Sequence, residues 1–273
     1  MMRDDPAMIQ ALSALRLQLE WGADEALGEQ PLNRLAPAAP AIPMPPAVAV
    51  AVPAPDPVPA RGSAPSRAAA LAAAAATPEA LRAALAGFEE CALRATATNL
   101  VFADGNPEAG LMLIGEAPGA EEDREGRPFV GRSGQLLDRM LASIGLDRSG
   151  FLITNLIPWR PPGNRNPTDA EVALCLPFLF RHIVLTRPRH LVLLGALATK
   201  AVTGSARGIR QMRGRWVDVA IPGLDRPLPA LPMFHPAYLL RAPGAKRDAW
   251  ADLIALRRRL DAEPPSHSPA AGG

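Results

Sequence analysis

Four positions in this 273-residue chain each close a short apolar run: Glu116 after Leu111–Gly115, Asn155 at the end of Phe151–Asn155, Gly195 after His190–Leu194, and His235 after Leu231–Phe234. Three of them carry a carboxylate, an amide and an imidazole. If the runs are parallel strands, all four positions lie along the carboxyl edge of one sheet, where open α/β sheets bind ligands. Four placements on one edge point to a shared site that hydrogen-bonds a polar ligand. The stretch Gly115–Leu137, GEAPGAEEDREGRPFVGRSGQLL, adds a polar connection with a lone aromatic, Phe129. Connections of about twenty residues inside compact domains are usually functional.

The elements that must hold these residues alternate along the chain. Thr77-Pro78-Glu79 reads as a helix start, with Thr as cap and Pro in the first turn, and the helix runs to about Leu93. Leu111–Gly115 reads as a strand, Gly134–Ile144 as a helix and Phe151–Asn155 as a second strand. Thr168 caps a helix toward Leu185 that carries a kinking Pro177. Then follow a strand at His190–Leu194, a helix from Ala196, an extra edge strand within Arg215–Ala220, a strand at Leu231–Phe234 and a helix over Arg247–Leu260. Short apolar strands alternating with helices predict an α/β fold, a parallel sheet covered on both faces.

Composition divides the rest. Of 31 prolines many fall in Ala36–Ser66, a Pro/Ala tract with almost no charge that cannot form a core. The expected organisation is an amphipathic helix within residues 1–29, with Ile9, Leu12, Leu15 and Leu19 at helical spacing. A disordered linker over 30–76, a folded domain over 77–262 and a disordered tail over 263–273 complete it. The helix docks on the domain or on a protein partner. The net charge of +2 gives no global nucleic-acid signature. No apolar run reaches the roughly eighteen residues of a membrane span, and the N-terminus lacks a signal-peptide pattern. Two cysteines, Cys91 and Cys175, imply no disulfide framework. The expected setting is cytoplasmic.

Four segments, in order and spacing, carry a resemblance: TNLVFADGNPEAGLMLIGEAPG, EEDREGRPFVGRSGQLLDRML, TNLIPWRPPGNRNPT and HPAYLLR. Over roughly Leu81 to Leu260 the chain resembles the uracil-DNA glycosylases of the iron–sulfur branch, family 4. The resemblance implies a three-layer α/β/α sandwich on a four-stranded parallel sheet, and an enzyme of base-excision repair that hydrolyses the N-glycosidic bond of deoxyuridine, or of other deaminated nucleosides, in DNA. It also implies site roles. Glu116 and His235 are the catalytic candidates. Glu116 orients water and favours the oxocarbenium sugar, or else caps loop amides; His235 donates to uracil O2 as charge develops there. Ala117, Glu122, Phe129 and Asn155 are the base-pocket candidates, with Phe129 stacking on the flipped base and Asn155 reading its N3–H and O4. The competing readings are a Phe that anchors the loop and an Asn that caps it. Leu240 and Arg241 correspond to a minor-groove wedge. Arg132 and Arg160, with Arg127 and Arg165, are candidates for phosphate contact. His182, His190 and His267 are structural or exposed.

The chain departs from that family at its metal. The four cluster cysteines fall at Phe88, Cys91, Trp159 and Cys175, and neither Phe nor Trp ligates iron. A cluster that takes Cys₄ ligation is therefore expected to be absent, with Cys91 and Cys175 vestigial and the two aromatics filling its volume. No lysine stands at a motif position, so no lyase step is expected. Uracil-containing DNA is the expected partner, the chain acting as a monomer at the nucleoid. Two other readings stay open: an inactive damaged-DNA-binding module tethered to a replication or repair partner, and a phosphate-binding protein using GEAPG as an anion loop.

Overall fold

In a computed structural model that describes residues 63–262, the apolar runs form strands and the periodic segments helices. The helices are α1 (Ala64–Ala74), α2 (Pro78–Ala86), α3 (Leu93–Thr96), α4 (Ala120–Glu125), α5 (Arg132–Ala142), α6 (Asp169–Thr186), α7 (Ala196–Thr203), α8 (Ile209–Met212), α9 (Pro236–Arg241) and α10 (Lys246–Asp261). The strands are β1 (Ala103–Gly105), β2 (Leu111–Gly115), β3 (Leu152–Asn155), β4 (His190–Leu194), β5 (Val217–Val219) and β6 (Leu228–Met233), in the order β1-β3-β2-β4-β6-β5. The four expected strands, β3, β2, β4 and β6, are mutually parallel. Antiparallel β1 and β5 close the two edges, which makes six strands rather than four.

Alternation along the strands builds the three layers. Met112, Ile114, Leu191 and Leu193 face one side and pack with residues of α1, α2, α6 and α7. Leu111, Leu113, Val192 and Leu194 face the other, against Leu137 and Leu141 of α5 and Leu253 and Leu256 of α10. The strands are buried on both faces, as their unbroken apolar runs require.

Two caps act as the sequence predicts. Thr77 Oγ1 accepts from the Ala80 amide at 3.1 Å. Thr168 and Glu171 form a reciprocal capping box, 3.2 and 2.7 Å, and α6 runs on through Pro177 to Thr186. Elsewhere the structure differs. The α2 helix stops at Gly87 rather than near Leu93. The polar connection after β2 is not all loop, since α4 occupies its middle. The stretch expected as linker contains α1: Ala68 and Ala72 are buried, and Arg181 of α6 donates to the Ala75 carbonyl at 2.8 and 2.6 Å. The folded unit thus begins ahead of Thr77. The expected helix within 1–29, the remainder of the linker to residue 62 and the tail from 263 lie outside the described residues.

Trimming the chain to begin at Thr77 removes this packing and leaves the Arg181 guanidinium without its carbonyl. We expect its Tm to fall by about 5 °C or more relative to a chain beginning at Ser63, since losing a charged hydrogen bond costs about 1.5–3 kcal/mol and each kcal/mol shifts Tm by roughly 2–4 °C in a domain of this size. Calorimetry of the two chains measures it.

Candidate active site

The carboxyl edge of the sheet opens into a cavity of about 380 Å³ whose lining includes Glu116, Ala117, Glu122, Phe129, Asn155 and His235. The register explains the convergence: Gly115 pairs with Asn155 at the ends of β2 and β3, and the Gly195 amide bonds to Met233 O beside the end of β6. Both glycines are needed. A Cβ on Gly115 would lie 2.4 Å from Asn155 Oδ1 and 2.5 Å from the Phe129 ring; one on Gly195, whose φ is +99°, would lie 3.1 Å from His235 Cβ.

Asn155 is buried, and its Oδ1 has no hydrogen-bond partner among the described residues. Buried acceptors left unpaired cost on the order of 1–3 kcal/mol, so this oxygen is suited to a ligand donor. The Phe129 ring is buried with its centroid 5.7 Å from that of His235. Its φ of +57° is unusual for a bulky residue, and Arg148 holds it there. The Arg148 guanidinium donates to Phe129 O at 2.7 Å and to Asp138 at 2.8 and 3.2 Å, and pairs with Asp104 at 3.2 Å.

His235 caps α9, its Nδ1 accepting from the Ala237 amide at 3.1 Å. An accepting Nδ1 carries no proton, so the neutral ring bears its hydrogen on Nε2. Burial, helped by the positive charge of Arg241, pushes the imidazole down to about 4. The ring is a neutral donor at physiological pH.

The two acidic candidates differ. Glu122 is buried, and both its oxygens are engaged by backbone amides: Oε2 by Gly119 at 3.0 Å and Oε1 by Gly131 at 2.8 Å. It ties the start of α4 to the start of α5, the capping work that the sequence reading weighed for Glu116. The adjacent Asp123 does the same toward Thr98 and Asn99, at 2.8 and 3.1 Å. The Glu116 carboxylate makes no hydrogen bond among the described residues; burial raises its pKa, and Arg241 opposes the rise.

The arginine candidates separate as well. Arg241 lines the cavity, while Leu240 is exposed on α9, so the segment read as a wedge loop is largely helical. Arg132 is exposed at the first turn of α5 and Arg160 bonds Asn164 Oδ1 at 2.8 Å; neither lines the cavity. Arg165 does, but its guanidinium forks onto Glu171 at 2.6 and 2.9 Å, holding that carboxyl down to about 2. Arg127 is exposed beside Glu125. Sequence reasoning passed over Ser133, Asn166 and Tyr238 as lining residues. The polar run GNRNP was the available signal for the second, and HPAYLLR for the third. His182, stacked on Phe102 at 4.6 Å, and His190, at the opposite end of β4, stand apart from the cavity.

A sequence model of the uracil DNA glycosylase superfamily matches residues 102–254, which span every strand and all of the cavity residues named above. The chain belongs to the uracil-DNA glycosylase superfamily. It is thereby a glycosylase, a hydrolase of DNA repair. It is similar to the type-4 uracil-DNA glycosylases of Pyrobaculum aerophilum (37% identity over 169 residues, 60% of this chain and 85% of the relative) and Thermotoga maritima (41% over 152 residues, 55% and 77%). The corresponding enzyme of Archaeoglobus fulgidus is 38% identical over 167 residues, 60% of this chain and 83% of the relative.

The residues at the positions of that branch's iron–sulfur cluster do not fit one. Phe88 and Trp159 are buried apolar side chains, and Phe88 packs on Phe178 with centroids 5.3 Å apart. Cys91 and Cys175 are free, buried thiols that hydrogen-bond each other, which holds Cys91 down to about 7 and pushes Cys175 up. Among the described residues no three His, Cys, Asp or Glu side chains group as a metal site.

The His235 ring can be followed by NMR. We expect it to titrate near pH 4, with the Nε2–H tautomer above that. Because the folded pKa lies below the ordinary 6.5, the ring's contribution to stability is full above pH 6.5 and is lost as pH falls from there toward 4.

Proposed function

We propose that the protein excises uracil from DNA, cleaving the bond between C1′ of the sugar and N1 of the base to leave an abasic site. The observation that carries this reading is the unpartnered Oδ1 of Asn155, buried in the wall of a cavity shared with a neutral histidine donor. Uracil offers an N3–H to that oxygen and an O4 to the amide of the same side chain. Cytosine reverses the pattern at position 4 and lacks the N3 proton, so its entry would leave buried groups unpaired. Hypoxanthine and xanthine also present an N–H beside a carbonyl, and the reading extends to them as a class of deaminated bases.

As the glycosidic bond breaks, its electron pair moves into the base, and Nε2–H of His235 donates to O2 where the charge collects. Phe129 stacks on the extruded ring and Ala117 borders it. Glu116 faces the sugar, its anion opposing the positive charge at C1′ and accepting a proton from the water that adds there. Glu122 acts on this site by bracing its wall. Leu240 and Arg241 enter the space left by the flipped nucleotide, and Arg132 and Arg160 contact phosphate. The only lysines are Lys200 and Lys246, and neither lines the cavity, so no Schiff base forms and strands are not nicked. The chain acts as a monomer on chromosomal DNA, with residues 1–29 left for a protein partner, and it works without a metal cluster.

On a duplex oligonucleotide with one uracil, followed by alkaline cleavage, the wild-type chain should yield breaks. Asn155→Ala and His235→Ala should each slow excision by about 10²–10³-fold, the cost of losing an aimed hydrogen-bond partner. Tight binding without breaks would instead mark a damage-binding module. Glu116→Gln should lower the rate by at least about 10²-fold. Because Glu116 titrates above an ordinary carboxyl, the wild-type rate should fall with acid at a pH above that range, and this limb should be missing from the variant.

The purified protein should contain no iron and show no broad visible absorbance. Stoichiometric iron by elemental analysis would refute the cluster-free reading while leaving the excision reading intact.

A further inference from the structure

Beside the base cavity the surface carries a second concavity, of about 450 Å³, lined by Arg207, Arg210, Gln211, Arg213 and Arg215. Four arginines on one groove repel each other unless something compensates. Only Arg213 is compensated: it grips both oxygens of the buried Asp252 and lies 3.8 Å from Asp248. Arg207, Arg210 and Arg215 are exposed and have no carboxylate within ion-pair distance among the described residues. Three uncompensated guanidinium groups around a groove, on a chain of net charge only +2, form a concentrated positive field suited to a polyanion.

The groove is not independent of the cavity. Arg210 donates to the Tyr238 hydroxyl at 3.0 Å, and Tyr238 lines the base cavity. The apolar contacts agree, with Ile209 of α8 and Tyr238 of α9 packing on the same cluster around Phe234 and Leu239. Tyr238 is therefore a wall of the base cavity that a groove arginine touches directly. A nucleic acid with one base in the cavity would lay its flanking backbone past that wall.

We infer that Arg207, Arg210 and Arg215 form a track for the phosphates of the DNA strand flanking the extruded nucleotide, held in place by the Arg213–Asp252 pair beneath. The inference rests on the DNA-excision reading for its ligand. Arginine suits the role because its fork matches a phosphate bidentately. The track positions the duplex and carries no sequence information.

The test measures duplex affinity by fluorescence anisotropy between 50 and 200 mM salt, using a 30-base-pair oligonucleotide that carries a tetrahydrofuran abasic analogue. Each phosphate neutralised contributes about 0.9 to the slope of log affinity against log salt. The triple variant Arg207→Ala/Arg210→Ala/Arg215→Ala should lose about 2.7 from that slope, and its KM for a uracil duplex should rise. The triple lysine variant should keep most of the slope. A control, Arg82→Ala/Arg258→Ala, removes charge from helices that line neither concavity and should leave slope and KM unchanged. An unaltered slope in the alanine triple, or an equal loss in the control, overturns the track as a solvated arginine face. If the wild-type chain excises no uracil, the functional reading falls by that assay alone, and the anisotropy slopes still decide the arginines.

Discussion

The pocket depends on the close approach of three side chains above the ends of β2 and β4. Asn155 Oδ1, the Phe129 ring and His235 Cβ occupy the space where side chains of residues 115 and 195 would stand, and glycine at both positions lets them do so. Strand ends are fixed by the ladder of the sheet, so this clearance is set by the most rigid part of the molecule. An amide that is to meet a ligand's hydrogen-bonding edge must be placed to a few tenths of an ångström, since hydrogen bonds weaken steeply with misalignment. Carrying the Asn155 amide directly at the end of β3, instead of at the tip of a loop, supplies that precision.

The polar chain after β2 is made rigid by a different means. Glu122 closes it across Gly119 and Gly131, Asp123 ties it to residues 98 and 99, and Arg148 draws Phe129 O and Asp138 together. Each brace satisfies backbone groups that would otherwise be stranded in a buried turn. Phe129 is thus held with positive φ by its surroundings, with Gly134 leaving room for its carbonyl. The division of labour among the carboxylates follows: Glu122 and Asp123, which accept from backbone amides, hold structure, and Glu116, which makes no hydrogen bond among the described residues, remains free to meet a ligand.

Much of this was legible in the sequence because burial on both faces writes strands as unbroken apolar runs, and the residue after each run marks the functional edge. The layers, the parallel core and the meeting of Glu116, Asn155 and His235 follow from that pattern. The edge strand β1 did not show, because Ala-Asp-Gly has no strand preference and is held by pairing with β3. The α1 helix was hidden by composition: alanine is the best helix former, yet the Pro/Ala tract before it drew the whole segment into a linker. The α4 helix carried a signal in its acidic first turn, Glu121-Glu122-Asp123, which the surrounding glycines and prolines obscured. Which of two nearby glutamates caps and which stays free depends on distances that spacing does not encode.

The positions that hold the cluster in the iron–sulfur branch show how this fold joins the same segments. A cluster held by four cysteines would cross-link the segment at 88–91, the strand-end segment at 159 and helix α6. In this chain Phe88 packs on Phe178 of α6, Trp159 is buried in the same cluster of side chains, and Cys91 meets Cys175. The same three segments are therefore joined by apolar contact and one thiol pair. The next residue but one after Trp159 is Pro161, which lines the cavity, so the anchoring of Trp159 bears directly on the site. Packing is less directional than metal ligation but tolerates no void, and the two large aromatics fill the volume at these positions. The cavity's chemistry requires that its wall be held, and apolar packing holds it.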